Sequence, residues 1–423
     1  MDVVSAYLNG DIDADIYMKQ PEGFVTVGQE HLVCKLQKSL YGLKQAGRQW
    51  YHKIDESLIN FGFTRLQSDH CLYVLNKARL VIWLALYVDD ILLISNSKRM
   101  LNRFKLWLSQ QFSMKDLGEA HFILGIQITR DRANRTLTIS QQHYVESIVA
   151  RYRMDESRPV STPMECGIHF LQSDCPSTQA ELDGMRNVPY QSAVGAIMYT
   201  MLATRPDVAY AITRLSQFNT NYGQKHWVAL KRLLRYLHGT ANYGITYGRV
   251  SGPQQHGLVG YCDSDWGFNE DRRSVSGYSF IITGGAVSWS AKTQPTVALS
   301  SVEAEYMSST HATKEALWWR SLLTELGRGE KDLPTPTTIF SDSQGSIALV
   351  KNPEFHSRTK HISIQQHFVR EHVERKAVTF VYKQTQDMAA DVLTKALARQ
   401  QHLKLIEMFG LGPVPRPSAA VVN

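Results

Sequence analysis

The sequence predicts a mixed fold in three parts: an α+β N-terminal region, a helical middle and an α/β C-terminal region. Two strongly apolar segments, LVIWLALYV and ILLIS, flank an Asp-Asp pair and indicate a strand–turn–strand unit in the first part. The middle contains two amphipathic segments of helical periodicity, QQHYVESIVARY and HWVALKRLLRYLHG. In the last part, three strand-like segments precede a long helical pattern, and alternating strand and helix patterns follow.

The elements follow these patterns in order. In the first part, GRQWYHKIDESLINF approaches helical periodicity, and Gly62 is placed to cap the helix. In the last part, LVGYCDSDW, SVSGYSFIIT and GAVSWSAK predict three antiparallel strands before the long helical segment SSVEAEYMSSTHATKEALWWRSLLTELG. A final helix is predicted over DMAADVLTKALARQQHLKLIEMFG. The predicted regions are 1–130, 131–250 and 251–410, with a disordered tail at 411–423.

Composition narrows the class of protein. The chain has 423 residues, 43% hydrophobic and 20% charged, which is ordinary globular composition for two or three domains. Its longest apolar string ends at Asp89 and is too short to span a membrane, and no signal-peptide pattern is present. Five cysteines without a CxxC pair indicate reduced thiols. We therefore expect an intracellular protein, cytoplasmic or nuclear, with no membrane partner.

The net charge of +7 suits a partner with a phosphate backbone. An ordinary soluble protein with a somewhat basic surface explains the same charge, so charge alone does not choose between the two.

The first candidate site is the pair Asp89 and Asp90, which lies between apolar strands. An unpaired buried carboxylate is expensive, and consecutive strand residues point to opposite faces, so the pair is predicted at a turn. Asp89 is the better candidate metal ligand, and Asp90 is a second or partial one. A merely solvated Asp-Asp turn is an equally good interpretation of the pattern.

The second candidate site combines four carboxylates that are far apart in the sequence: Asp263, Glu305, Asp342 and Asp391. Strand ends and helix starts converge at one edge of an α/β sheet, so these side chains could share metal ions. Each also has an ordinary interpretation. Asp342 could cap a helix, Glu305 could belong to a solvated helix face, and Asp391 could form a helix ion pair with Lys395.

A family resemblance connects these patterns. YVDD between apolar strands resembles the palm motif of reverse transcriptases, and DVVSAYLNGDIDADIYMKQPEGF resembles the preceding motif of the Ty1/copia class of retrotransposon Pol polyproteins. Further blocks typical of that class are KSLYGLKQAGRQWY, MKDLGEAHFILGIQI, PYQSAVGAIMYTMLATRPDVAYAITRLSQF and HWVALKRLLRYLHGT. The resemblance implies an N-terminally truncated reverse-transcriptase palm, a helical thumb or connection, and a ribonuclease H-like domain.

For the first region, the resemblance implies that Asp2, Asp89 and Asp90 are polymerase carboxylates. They would hold two Mg²⁺ ions, with Mn²⁺ as an alternative, and act on an RNA template and a DNA primer. Gln45 would lie near the incoming nucleotide or the template. Because no fingers precede Asp2, we expect Asp2 to lack a complete supporting strand and the polymerase to be incomplete.

For the last region, the resemblance implies a ribonuclease H whose four carboxylates, Asp263, Glu305, Asp342 and Asp391, hold two Mg²⁺ ions. The substrate would be the RNA strand of an RNA–DNA hybrid. Glu305 is preferred to Glu303 because it precedes Tyr306 in the EY pattern typical of the class. Three further residues stand where a phosphate-gripping or product-release loop would be useful: Arg358, Lys360 and His361.

Two hypotheses follow. Either the last region is an active Mg²⁺-dependent hybrid nuclease, or the chain is an inactive relic or nucleic-acid-binding module that folds without turnover. An integrase-like transposase suits the sequence less well, because its carboxylate order ends in glutamate rather than in aspartate such as Asp391.

Overall fold

The computed structural model describes residues 1–248, 257–267, 270–329, 333, 335–351 and 363–414. They form two compact units: Met1–Ala120 with Thr324–Gly327, and the rest of the chain from His121 onwards. The first boundary thus lies ten residues before the predicted one at 130. No boundary separates the predicted middle and last regions, because both contribute to one hydrophobic core that includes Val145 and Leu405.

The N-terminal unit contains a six-stranded antiparallel sheet. In spatial order its strands are Thr64–Arg65, Leu72–Lys77, Leu80–Tyr87, Asp90–Ser95, Asp2–Val3 and Met114–Lys115. The predicted strand–turn–strand unit is confirmed, and alternate residues Ile82, Leu84 and Leu86 are buried in the core. A separate two-stranded sheet pairs Tyr17–Lys19 with Val33–Lys35.

Two helices complete this core, Ala46–Phe61 and Lys98–Gln111. The first buries Trp50, Ile54 and Leu58 at helical spacing. It ends as predicted, because Gly62 follows it with a φ of 110°, which glycine adopts without a Cβ clash.

The middle segment is helical, as predicted, with an added sheet. Its helices are Gln142–Arg151, Gln179–Met185, Tyr190–Ala203, Ala209–Ser216 and Gln224–Gly239. The sheet has five antiparallel strands in the order Leu411–Pro413, Tyr243–Tyr247, Thr136–Ser140, Ile126–Asp131 and Phe122–Ile123. The predicted disordered tail therefore begins too early: Leu411–Pro413 is a strand because Leu411 is buried in the core.

A fully buried polar network lies within this core. The Arg205 guanidinium donates to the carboxylate of Asp207 and to the carbonyl and hydroxyl of Thr240, at 2.6–2.9 Å for the shortest contacts. The Tyr236 hydroxyl donates to Asp207 Oδ2 at 2.6 Å and lies 2.9 Å from His402 Nε2. Because Tyr236 has a single hydroxyl proton, His402 Nε2 must carry the proton of this second bond. The network links the middle segment to the last described helix.

The C-terminal segment forms a five-stranded sheet. In chain order its strands are Val259–Asp265, Val275–Ile282, Gly285–Thr293, Thr337–Ser341 and Val378–Tyr382. Across the sheet they lie in the order third, second, first, fourth, fifth. The first three are antiparallel, and the last two run parallel to the first. The predicted succession of three strands, a long helix and alternating strands and helices is confirmed. Its helices are Ser301–Glu325, Gln344–Lys351, Ser363–Glu374 and Arg399–Met408.

The predicted final helix is wrong at its start. Ala389–Leu393 forms a short 3-10 turn, and the helix begins only at Arg399. All five residues of the turn are buried, and the Leu393 side chain packs so closely on Gly277 that a Cβ at Gly277 would lie 2.9 Å from it. Tertiary packing therefore overrides the helical pattern, since no residue of this turn faces solvent.

Among the described residues, no helix is both long and apolar enough to cross a membrane.

Candidate functional site

Three carboxylates converge at one edge of the C-terminal sheet. Asp263 lies near the end of the first strand, Asp342 directly follows the fourth strand, and Glu305 lies in the long helix. The first and fourth strands are parallel neighbours with Tyr261 opposite Phe340, so the two aspartates emerge two residues later at the same edge. One oxygen from each of the three carboxylates lies within 4.8 Å of the others.

Hydrogen bonds hold these side chains in different ways. The backbone N–H of Ser264 donates to Glu305 Oε1 at 3.1 Å, and the Thr385 hydroxyl donates to Asp342 Oδ2 at 2.7 Å. The Thr394 hydroxyl donates to Asp263 Oδ2. Glu305 is 8% exposed, and its second oxygen, Oε2, has no hydrogen-bond partner among the described groups. A buried carboxylate oxygen without a donor is what a cation ligand requires.

Burial raises the pKa of two of these carboxyl groups. For Asp263 the burial effect is opposed by Lys395 and Thr394 and reinforced by Asp342. For Glu305 burial acts first, and the charges of Asp263 and Asp342 raise the pKa further, well above its usual range. A hard divalent cation with oxygen ligands would relieve this repulsion, so the donor set fits Mg²⁺ or Mn²⁺.

Asp391 is arranged differently from the other three. It lies in the buried 3-10 turn, and it is not a member of the three-carboxylate group found among the described residues. Lys395 Nζ lies 3.1 Å from Asp391 Oδ1 and 3.5 Å from Asp263 Oδ2. The ion pair that spacing suggested for Asp391 and Lys395 is therefore present, and the lysine also reaches Asp263. Burial and Asp263 raise the pKa of Asp391 to about 8, against the opposing effect of Lys395.

The two glutamates at the start of the long helix, Glu303 and Glu305, have different roles in the structure. Glu303 accepts a hydrogen bond from the Leu299 N–H at 2.8 Å, and its own N–H donates to the Ser300 hydroxyl. It thus satisfies backbone groups at the helix start. Glu305, and not Glu303, lies in the carboxylate group.

The N-terminal aspartates meet at the predicted turn. Asp2 is the direct cross-strand partner of Asp90, which places their side chains on one face of the sheet. Asp89 is the second residue of a two-residue turn, and its carbonyl accepts a hydrogen bond from the Val3 N–H at 3.0 Å. Burial first, and then Asp89 and Asp2, raise the pKa of Asp90. These three carboxylates do not form a group as close as the C-terminal one in the described part of the chain.

In the N-terminal unit, Asp2 lies in a short strand and Gln45 lies beside a helix. Asp2 is expected to lack a complete strand, and its strand Asp2–Val3 has only two residues, although it pairs on both sides, with Asp90 and with Lys115. Gln45 directly precedes the helix Ala46–Phe61 and is half-buried. Three predicted phosphate-binding residues, Arg358, Lys360 and His361, lie outside the described residues.

Sequence reasoning missed two contributors to the C-terminal site. The hydroxyls of Thr385 and Thr394 each bind a carboxylate from a distant strand. No local signal identifies them, because their partners are distant in sequence. Lys395 was recognised only as a helical neighbour of Asp391, and its contact with Asp263 depends on the turn that replaces the predicted helix.

Comparisons with known proteins agree with the resemblance. Residues 1–166 match a family described as reverse transcriptase (RNA-dependent DNA polymerase). The retrovirus-related Pol polyprotein from transposon TNT 1-94 of Nicotiana tabacum is 42% identical over 97% of this chain and 30% of its own length. The corresponding polyprotein from transposon RE1 of Arabidopsis thaliana is 40% identical over 98% of this chain and 27% of its own length.

A shorter relative is matched over its whole length. The putative transposon Ty5-1 protein of Saccharomyces cerevisiae is 33% identical over 74% of this chain and 100% of that protein.

Among solved structures, a ribonuclease H1 isolated from compost is 14% identical over 33% of this chain and 93% of that chain, with a TM-score of 0.27. A TM-score of this size adds nothing to the assignment, which rests on the sequence relatives. The chain spans less than a third of the length of the two plant polyproteins.

Proposed function

The chain belongs to the family of retrovirus-related Pol polyproteins of copia-type transposons, and from that premise we propose that its C-terminal segment hydrolyses the RNA strand of an RNA–DNA hybrid. The single observation that carries the proposal is the convergence of Asp263, Glu305 and Asp342 within 4.8 Å at a sheet edge.

The three converging carboxylates would hold Mg²⁺, with Asp391 beside them. When bound, the metal would activate water and stabilise the charge that develops at the scissile phosphate. The protein's own contribution is to orient oxygen ligands. Ser264 fixes one oxygen of Glu305 and leaves the other without a partner in the described part of the chain, while Thr385 fixes one oxygen of Asp342. Such preorganisation reduces the rearrangement needed when substrate arrives.

The test is cleavage of a hybrid with a labelled RNA strand in the presence of Mg²⁺. We expect Asp342→Asn to reduce the rate by at least about two orders of magnitude, since losing a charged ligand removes several kcal/mol of transition-state stabilisation. Asp183→Asn, on the surface of the helix Gln179–Met185, is the matched control and should cleave like wild type. Equal cleavage by wild type and Asp342→Asn would overturn the assignment.

A second candidate function is favoured by the reverse-transcriptase match over residues 1–166. We propose that Asp2, Asp89 and Asp90 mark a polymerase site for an RNA template and a DNA primer, with Gln45 near the nucleotide. Because these carboxylates are not as close as the C-terminal three, hybrid cleavage is proposed as the principal activity. Primer extension by the isolated chain as fast as its hybrid cleavage would contradict this ranking.

The competing proposal is a binding module without turnover. It predicts that wild type and Asp342→Asn bind a hybrid with equal affinity and that neither cleaves it. A gel-shift titration beside the cleavage assay separates this outcome from an active nuclease.

A further inference from the structure

Lys395 contacts two carboxylates of the C-terminal site, Asp263 and Asp391. Its Nζ lies 3.1 Å from Asp391 Oδ1 and 3.5 Å from Asp263 Oδ2. The neighbouring residue, Thr394, donates its hydroxyl to the same Asp263 oxygen. The lysine side chain is 32% exposed, whereas the two carboxylates that it contacts are almost fully buried. The ammonium group thus closes the solvent side of a buried carboxylate pair.

Asp263 takes part in two groups at once. On one side it converges with Glu305 and Asp342, where no cationic side chain forms a salt bridge with either of those two among the described residues. On the other side it faces Asp391 across the Lys395 ammonium. The site therefore contains two positions for positive charge. One is lined by carboxylates alone, and the other already contains a cation of the chain itself.

We infer that Lys395 is a positioning residue that occupies the second cation position, so that the substrate-free protein binds one divalent ion at Asp263, Glu305 and Asp342. The inference rests on the proposed nuclease function and refines its metal requirement. A divalent ion between Asp263 and Asp391 would lie against the ammonium, and repulsion at such distances is strong in a buried site. A second ion can enter only when the partly exposed lysine turns towards solvent.

A purely structural role for Lys395 makes a different prediction. If the lysine only neutralises Asp391, its removal would change stability but would leave the number of bound ions unchanged. Metal binding without substrate therefore distinguishes the two roles, and it does not depend on whether the chain cleaves a hybrid.

The experiment is Mn²⁺ titration of the full chain without nucleic acid, followed by electron paramagnetic resonance of the free ion. Every chain titrated carries Asp89→Asn and Asp90→Asn, so that the proposed polymerase site contributes no bound ion, and wild type below means this background with Lys395 unchanged. We expect one tight site in wild type. In Lys395→Met we expect a second site whose Kd is at least about tenfold lower than that of any second site in wild type. Lys395→Arg, which keeps the charge, should still bind one ion tightly.

The control is Lys404→Met, because Lys404 forms an exposed ion pair with Asp387 in the same segment and does not contact the carboxylate site. Its Mn²⁺ binding should equal that of wild type. Circular dichroism checks that each variant is folded. If Lys395→Met does not fold, Lys395→Gln is titrated in its place, and the wild-type stoichiometry remains a test by itself.

Two results would overturn the inference: two ions of similar affinity in wild type, or unchanged binding in the folded Lys395→Met and Lys395→Gln variants. Failure of the nuclease proposal looks different, since wild type would then bind one ion but leave the hybrid intact. If Asp342→Asn inactivates the nuclease but replacing Lys395 does not change Mn²⁺ binding, the inference is refuted and the nuclease proposal stands.

Discussion

Arg205 and Asp207 form a salt bridge in which the side chains are 1% and 0% exposed. The Nε–H and Nη2–H groups of the guanidinium donate hydrogen bonds to the two carboxylate oxygens at 2.9 and 2.7 Å. Burial acts against both charged forms, but their mutual attraction lowers the pKa of Asp207 and raises that of Arg205. Both residues therefore stay charged inside the core, and each depends on the other.

Removing one partner should be strongly destabilising. We expect Arg205→Met to lower the free energy of unfolding by about 3–5 kcal/mol, because it leaves the Asp207 charge buried without its partner. Urea denaturation followed by circular dichroism measures the effect. The control is Arg375→Gln, which removes an exposed ion pair with Glu371 and should cost less than about 1 kcal/mol. Similar losses in both variants would contradict the prediction.

His402 should make the protein sensitive to acid. Burial lowers its pKa to about 4, although Asp207 acts in the opposite direction. Between pH 6.5 and 4 the unfolded chain binds a proton that the folded protein does not, so stability falls on acidification by up to about 1.4 kcal/mol per pH unit. We expect His402→Gln to flatten this dependence in urea denaturation at pH 7, 5.5 and 4.5. The exposed His143, replaced by Gln, should leave the wild-type profile unchanged.

Glu305 should have the opposite pH dependence in the metal-free protein. Its pKa lies well above the usual value, so above about pH 4.5 the folded state holds a proton that the unfolded state releases. Stability from this group is present at low pH and is lost as pH rises.

We therefore expect Glu305→Gln to be more stable than wild type at pH 7 in the presence of a chelator, while the two converge near pH 4. The Gln oxygen can still accept the Ser264 N–H, so the variant tests charge and not the hydrogen bond. Thermal unfolding at both pH values measures the difference. A less stable variant at pH 7 would show that the carboxylate is not under repulsion.

The two-residue turn Val88–Asp89 of the YVDD motif contains local strain. Val88 has a φ of 56°, a conformation that is costly for a β-branched residue. Its side chain is 40% exposed, and its carbonyl accepts the Trp50 indole N–H at 2.6 Å, which glycine would preserve.

Val88→Gly should therefore raise the free energy of unfolding of the N-terminal unit by about 1 kcal/mol. The same substitution at Val27, which is 93% exposed and is not among the residues with positive φ, should lower it by about 0.4–1 kcal/mol through the unfolded chain. Denaturant titration compares the two variants. A loss of stability in both would show that the Val88 backbone is not strained.

Much of the fold could be predicted because its signals are local. The apolar alternation around Ile82 and Leu84 depends on the strand period, and the helix end at Gly62 depends on the left-handed conformation of one residue. The family assignment, confirmed by the transposon relatives, also comes from contiguous motifs. Residues on both sides of the predicted boundary at 250 share one hydrophobic core, and no local pattern records which distant apolar faces pack together.

The candidate site divides in the same way. The sequence by itself indicated the four C-terminal carboxylates as candidates, because their order along the strand and helix patterns resembles that of a ribonuclease H. Only the tertiary structure decided how they are grouped. Parallel pairing of two strands brings Asp263 and Asp342 together, and the burial of the turn Ala389–Leu393 against Gly277 places Lys395 between Asp263 and Asp391. Periodicity and turn chemistry act between neighbours in the chain, whereas strand pairing and packing join residues that the sequence keeps far apart.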